Sequence, residues 1–202
     1  MIHLRAGLIF ILLLLAACVG NTPLPDEHFY RLSIPPPAER TATAQLQGLV
    51  VVEPPRAPDV YTERALVYSD DAESISLQHY HYHFWIDPPP LLLQQELIRY
   101  LEMSHPAATI TTGAGSAQPG YRISSTLRRF ERLKSGQGWM VAVTLRLQLE
   151  NASKATPLLV RDYEQLLPAT DTSLEASVHA FSVATGNIFG QFARDLVKAL
   201  PE

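Results

Sequence analysis

The chain has 202 residues with 16 lysines and arginines against 20 aspartates and glutamates, so its formal net charge is −4. This mild acidity argues against a nucleic-acid partner, because such partners normally select a basic surface. The length suffices for one domain with a sizeable core, and the single cysteine excludes an intrachain disulfide. We therefore expect the fold to be stabilised by packing alone.

The amino terminus has the features of a secretory signal. Arg5 precedes an uncharged, mainly apolar run over residues 6–17, which ends in two small residues before the only cysteine. The run is too short for a membrane-spanning helix, which needs about 20 apolar residues. The sequence Leu15-Ala16-Ala17-Cys18 resembles a bacterial lipobox. The alternative is an ordinary signal peptide followed by an incidental cysteine.

The lipobox resemblance implies a lipid anchor. In proteins with this motif the signal is cut at the position between Ala17 and Cys18, and the cysteine thiol carries a diacylglycerol. Residues 1–17 are then a lipoprotein signal peptide and residues 18–27 a lipidated tether. Val19 stands where an aspartate would retain a Gram-negative lipoprotein in the inner membrane, so the resemblance implies the outer membrane, facing the periplasm.

Residues 28–202 read as one folded domain that begins with strands. Apolar and β-branched patterns predict strands over residues 28–34, 46–53, 64–68 and 74–85. The continuous run Leu49-Val50-Val51-Val52 is typical of a strand buried on both faces. Turn-forming residues around Asp70 separate the last two strands, so this pair is predicted to be a hairpin.

The last of these strands carries three alternating histidines. Alternate strand residues share a face, so His79, His81 and His83 are expected on one side and Tyr80, Tyr82 and Phe84 on the other. Imidazole is a common zinc ligand, which raises the hypothesis of a metal site. We favour the simpler interpretation, a polar face with the tyrosines packed inward, and predict neither a metal nor another cofactor.

The second half of the domain alternates helices and strands. The pattern predicts a helix over 87–104, strands over 107–112, 121–133, 139–150 and 157–167, and a long carboxyl-terminal helix. Residues 113–120 read as a loop, and Ser135-Gly136-Gln137-Gly138 as a hairpin turn.

Local signals mark the two helices. Asp87 is a good N-cap for the first, and Thr172 with Glu175 predicts a capping box for the second. Gly186 and Gly190 lie four residues apart inside the second helix, which indicates close packing against a neighbour. Together the elements predict an α/β fold, with a mixed sheet flanked by helices in a single domain.

Two exposed strand faces, around His79–His83 and Thr144–Glu150, are candidates for partner contacts. Thr144, Arg146, Gln148 and Glu150 alternate with apolar residues, so their shared face should meet water or a partner. A basic cluster lies near the 135–138 turn and is interpreted as a solvated hairpin end, with lipid headgroups as the alternative contact. Its members are Arg128, Arg129, Arg132 and Lys134.

The order of several short motifs carries a second resemblance. These are Phe29-Tyr30-Arg31-Leu32, Val50-Val51-Val52-Glu53, Ala57-Pro58, Leu66-Val67-Tyr68, Trp85 and the helix that follows. In this order, behind a lipobox, they resemble the ABC-type transport auxiliary lipoprotein family, to which PqiC-like outer-membrane lipoproteins belong. The resemblance covers most of the chain from about His28. The proline-rich Ile86-Asp87-Pro88-Pro89-Pro90 departs from the family's usual small or acidic residues after the tryptophan.

The family implies a fold like the TolB N-terminal or anticodon-binding domain. It also implies an outer-membrane lipoprotein that works with an ABC permease and a mammalian-cell-entry-type membrane protein. Such systems move phospholipid or other hydrophobic molecules between the inner and outer membranes. We expect a docking or stabilising subunit, with several copies in a homo-oligomer as one arrangement, and no carriage of lipid by the chain itself.

Three alternatives stay open. Outer-membrane lipoproteins with this kind of fold can regulate a peptidoglycan synthase, or can assist lipopolysaccharide assembly. The third alternative is an enzyme, but the sequence lacks a Gly-x-Ser-x-Gly elbow, a His-Glu-x-x-His helix and a phosphate-binding loop. We therefore predict a non-catalytic protein without catalytic residues.

Overall fold

The described residues form one mixed sheet with two helices on one face. The computed structural model describes residues 25–37, 46, 48–71, 73, 75–104, 109–113 and 118–199. Its strands are β1 (His28–Tyr30), β2 (Leu49–Val52), β3 (Ala65–Ser69), β4 (Gln78–Trp85), β5 (Thr109–Thr111), β6 (Tyr121–Ser135), β7 (Gly138–Asn151) and β8 (Thr156–Pro168). Its helices are α1 (Pro89–Ser104) and α2 (Leu174–Ala199). The predicted α/β class and mixed sheet are confirmed.

Three long antiparallel strands, β6, β7 and β8, form the frame of the sheet. β6 and β7 pair from Tyr121↔Asn151 to Ser135↔Gly138, and β8 continues the meander beside β7. Gly136 in the connecting turn has a φ of +56°, which a residue without Cβ adopts at little cost. The hairpin predicted from the alternation and the glycine-rich turn is thereby confirmed.

The other edge of β6 is shared between two short parallel neighbours. β2 pairs with the first residues of β6, and β3 pairs with its last residues. Between them a single bridge joins Arg56 to Thr126. β5 pairs with the far side of β2, so β2 lies inside the sheet. Val50 and Val52 on one face are fully buried and Val51 on the other is only 9% exposed, so the prediction of a strand buried on both faces is confirmed.

β3 and β4 form the predicted hairpin, but β4 departs from a regular strand. Ala65 pairs with Phe84 and Val67 pairs with His79, so residues 80–83 lie opposite one residue of β3. Such an insertion disrupts the alternation of side chains. The Tyr80 and His83 rings consequently meet edge to face at 5.7 Å. The prediction that histidines and tyrosines occupy opposite faces is therefore wrong.

The two helices begin and end near their predicted bounds. α1 buries Leu93, Leu97 and Leu101, as its helical spacing indicates. α2 is capped by Ser173, whose Oγ accepts a hydrogen bond of 3.1 Å from the Ala176 amide. The capping box predicted from Thr172 is therefore wrong, because the cap lies one residue further along the chain.

Close contacts join the helices to the sheet. The rings of Trp85, Phe130 and Phe181 pack together with centroids 4.6–5.5 Å apart, and all three are buried. A Cβ at Gly186 would lie 3.1 Å from Ile34 Cγ2, and one at Gly190 would lie 3.0 Å from the Tyr100 hydroxyl. The close packing predicted for these two glycines is confirmed.

The first strand is shorter than predicted. β1 ends at Tyr30, yet Leu32 and Ile34 beyond it are buried in the core.

No helix among the described residues has the length and apolar character needed to cross a bilayer. The predicted signal peptide, the lipidation site Cys18 and most of the tether lie outside those residues, as does the middle of the 113–120 loop.

Candidate interaction surface

The three histidines singled out in the sequence do not come together. His79 Nε2 lies 3.3 Å from the carbonyl oxygen of Val60, His81 is exposed, and His83 stacks on His28 with centroids 5.0 Å apart. Within the described ranges no three histidine, cysteine, aspartate or glutamate side chains are grouped as metal ligands would be. The insertion in β4 explains this separation, because it breaks the shared face on which the hypothesis depended.

His83 instead belongs to a polar junction between β1, β4 and α2. The Tyr30 hydroxyl lies 3.0 Å from His83 Nδ1 and donates a 3.2 Å hydrogen bond to Glu175 Oε1. Burial, reinforced by Glu175, raises the pKa of Tyr30 to about 12. Burial, and then the neighbouring His28, lowers the pKa of His83. The junction therefore holds β1 in place, and it ties this short strand to β4 and α2.

The predicted basic cluster is divided between the two faces of the sheet. Arg132 is buried beneath the start of α2, where it donates to the Tyr80 hydroxyl and to the carbonyls of Thr172 and Ser173 at 2.6–3.1 Å. Its guanidinium carbon lies 3.8 Å from the centroid of the Trp139 ring. The interpretation of a solvated end is therefore wrong for Arg132, whose donors replace water with neutral oxygens and an aromatic face.

The outer side of the meander carries an array of ion pairs, which we call the charged face. Arg146 binds Asp162 with two contacts of 3.1 Å, and Arg128 approaches the same carboxylate at 3.5 Å. Arg122 lies 3.3 Å from Glu53 and 3.6 Å from Glu150. Positive and negative side chains thus alternate across the strands on a partly exposed surface, in agreement with the polar face predicted for β7.

A buried carboxylate lies beneath the charged face and binds one of its arginines. Glu131 accepts hydrogen bonds of 2.5 Å from the Tyr61 hydroxyl and 2.9 Å from the Phe130 amide, and pairs with Arg129 at 2.7 Å. Tyr61 comes from a short 3₁₀ turn that covers this end of β6, and burial raises its pKa. Arg129 also reaches Glu164 on β8 at 3.8 Å. No local sequence pattern indicates this hydrogen bond, because Tyr61 and Glu131 are 70 positions apart.

β8 adds an apolar component to the charged face. Val160 is 48% exposed and Leu166 is 50% exposed. Both lie on the same face of the strand as Asp162 and Glu164, because alternate strand residues share a face. Among the described residues β8 pairs only with β7, so its other edge offers unpaired backbone donors and acceptors. A long open edge beside apolar and charged side chains is suited to binding another chain.

A groove of ≈ 320 Å³ lies between β8 and α2, and its lining is polar. Arg161 and the Tyr163 hydroxyl bind Asp195 inside it at 2.7 and 2.9 Å. Burial disfavours the charge on Asp195, but these hydrogen bonds outweigh it and hold the pKa of this carboxyl below its usual value. Such charged walls do not suit an acyl chain.

Comparison with known proteins places the chain in a family. A family model described as "ABC-type transport auxiliary lipoprotein component" matches residues 30–193. No curated protein matches the sequence. A crystal structure of a DUF330 protein from Xanthomonas campestris is similar with a TM-score of 0.73 and 19% identity, over 85% of this chain and 95% of that one. A second crystal structure, of an uncharacterized protein, is similar with a TM-score of 0.69 and 14% identity, over 85% of this chain and 99% of that one. At these identities the two structures establish the fold alone.

Proposed function

Since this chain belongs to the family of ABC-type transport auxiliary lipoprotein components, we propose that it is a non-catalytic subunit of an ABC/mammalian-cell-entry-type system. Its partners are then an ABC permease and a mammalian-cell-entry-type membrane protein. The system moves phospholipid or other hydrophobic molecules between the inner and outer membranes. The family match over residues 30–193 is the observation that carries this proposal.

The proposed anchor is a lipid on Cys18. Cleavage between Ala17 and Cys18 would leave residues 18–27 as the tether and residues 28–202 as the domain. Two or more acyl chains on one residue anchor a protein stably, whereas a single chain holds it only marginally. Val19 favours the outer membrane, with the domain facing the periplasm. The match to a lipoprotein family supports the anchor and the membrane association.

We propose that the charged face and the open edge of β8 receive the protein partner. Arg146 and Asp162 have side chains that are 46% and 43% exposed, so a partner can exchange these ion pairs for its own. Val160 and Leu166 supply apolar contact area on the same side. Alternating charges select partners by complementarity more than they add affinity. A surface that combines selective charges with apolar contact area suits a docking subunit that recognises one transporter.

The test is to identify the proteins that accompany the lipidated chain. Full-length protein is expressed in a Gram-negative host that has the transport system, extracted in mild detergent and analysed by mass spectrometry. We expect the Cys18 peptide to carry acyl chains, and a mammalian-cell-entry-type protein or an ABC permease to be recovered. A Cys18→Ser variant serves as the unlipidated control. Recovery of a peptidoglycan synthase or an outer-membrane β-barrel in their place would overturn the transport proposal.

A further inference from the structure

An exposed aromatic patch lies where the chain enters the fold. Phe29 on β1 is 50% exposed, and its ring stacks on Phe84 of β4 with centroids 5.8 Å apart. Tyr82, in the same strand as Phe84, is 37% exposed, and its ring centroid lies 6.5 Å from that of His81. The guanidinium carbon of Arg64 lies 5.7 Å from the centroid of the Phe29 ring. We call Phe29, Arg64, Tyr82 and Phe84 the tether-root patch.

The patch is not needed to hold β1 in place. His28 and Tyr30 project to the opposite side of the strand from Phe29, and they form the junction with His83 and α2. β1 is an edge strand, and its parallel pairing with β4 joins residues 28–30 to residues 83–85. Phe29 therefore presents an aromatic ring to the outside while its neighbours secure the backbone.

We propose that the tether-root patch rests on the bilayer surface that carries the lipid anchor. This inference depends on the proposed acylation of Cys18. Phe29 follows Cys18 by eleven positions, and a chain of that length spans at most about 40 Å even when fully extended. The patch is thus the exposed aromatic surface closest along the chain to the membrane. A contact too weak to form in solution becomes populated when a short linker keeps its two sides together.

The side chains fit the interfacial zone of a membrane. Aromatic rings with a polar end, such as that of Tyr82, concentrate at the headgroup level of bilayers. Arg64 can keep its guanidinium among the phosphates while its aliphatic stem lies along apolar surface. The acidic neighbours Asp26, Glu27 and Glu63 oppose attraction to anionic lipid. The contact should therefore be driven by the aromatic rings, form on electrically neutral vesicles and persist at high salt.

A pair of tryptophan variants tests this contact. The mature chain, residues 18–202, is coupled through its single thiol at Cys18 to a maleimide lipid in phosphatidylcholine vesicles that contain brominated lipid. Phe29→Trp places the probe in the patch, and Leu166→Trp places it at an equally exposed site, since both native side chains are 50% exposed. The coupled parent, with its native Trp85 and Trp139, supplies the background.

The expected result is a difference between the two positions. Bromine quenches only fluorophores that reach the bilayer, so the emission that Phe29→Trp adds to the parent's background should fall to about half, while the emission that Leu166→Trp adds should be unchanged. The quenching should be equal in low and high salt. Equal quenching at both positions, or none at residue 29, would overturn the proposal.

The outcome is separable from that of the proposed function. Coupling to the vesicle is chemical, so the result does not depend on acylation in the cell, which mass spectrometry of the Cys18 peptide tests by itself. If a purified transport partner protected the Phe29→Trp probe while brominated lipid left it unquenched, the patch would be a protein contact and the membrane proposal would be wrong.

Discussion

The two sides of β7 show how one strand serves two purposes. Val141, Val143, Leu145, Leu147 and Leu149 face the helices, and each is at most 1% exposed. On the opposite side Arg146 pairs with Asp162, and Glu150 pairs with Arg122. Burying a Val or Leu side chain contributes about 1.5–3 kcal/mol, whereas an exposed ion pair contributes about 0–1 kcal/mol. The inner side therefore sets stability, and the outer side is free to set recognition.

The largest expected effect comes from the aromatic cluster on the inner side. Phe181→Ala should lower the free energy of unfolding by about 3–5 kcal/mol, because it leaves a cavity against Trp85 and Phe130. Urea unfolding followed by tryptophan fluorescence measures the loss. Phe29→Ala is the matched control, since its ring is half exposed, and should cost less than about 1 kcal/mol. Equal losses for the two variants would contradict the comparison of the faces.

Arginines on the two sides of β6 should differ in the same way. Arg132→Lys loses the planar contact with Trp139 and part of the fork that binds two carbonyls, which should cost about 1–3 kcal/mol. Arg128→Lys on the outer side should cost less than about 0.5 kcal/mol, because its ion pair is exposed. Thermal unfolding of both variants checks the difference. A comparable destabilisation by the two would show that burial of Arg132 has no energetic consequence.

Substitutions on the outer side should affect partner binding more than the stability of the fold. Asp162→Arg breaks two ion pairs and should change the free energy of unfolding by no more than about 1 kcal/mol. Recovery of the transport partner from membranes should fall about tenfold, since like charges then meet across the interface. Lys154→Glu, on the β7–β8 turn, is the control for a change of charge away from these ion pairs. Undiminished recovery with Asp162→Arg would remove the charged face from the docking surface.

The smallest effect concerns the junction around His83. Burial, and then His28, lowers the pKa of His83, while Glu175 opposes this shift. The unfolded chain then takes up the proton first, so the contribution of His83 to stability is full above its usual pKa of about 6.5 and is lost as the pH falls below it. Because intrinsic amide exchange itself slows as the pH falls, the measure is the protection factor, and those of the Tyr30 and Phe84 amides should decrease between pH 7.5 and 5.5. His83→Gln should weaken this dependence, whereas His81→Gln, at an exposed site, should preserve it.

The elements that the sequence predicts well are those specified by local patterns. The β6–β7 hairpin follows from five alternating apolar residues and a glycine-rich turn, and the structure reproduces both. Alternation also predicted a regular β4, but four of its residues lie opposite one residue of the shorter β3. That mismatch depends on the length of a neighbour, which the alternation within β4 does not contain.

The sequence also predicted a solvated side chain for Arg132, and this error has a physical reason. A cation near a hairpin turn, among other cations, is usually solvated, and nothing local distinguishes Arg132 from Arg128 or Arg129. Its acceptors include the carbonyls of Thr172 and Ser173, which are 40 and 41 positions away. The acidic and basic residues of the charged face were visible in sequence, but their pairing requires the register of β6 against β7 and β8.

The position of β1 has a mechanical consequence. A lipid at Cys18 and a partner on the charged face would pull on the domain from two places, and the force along the tether would enter the fold at β1. Only residues 28–30 pair with β4, and Tyr30 adds hydrogen-bonding contacts to His83 and Glu175. Under tension β1 should detach before the long β6–β8 meander yields, adding a few residues of slack that relieve the load while the core stays folded.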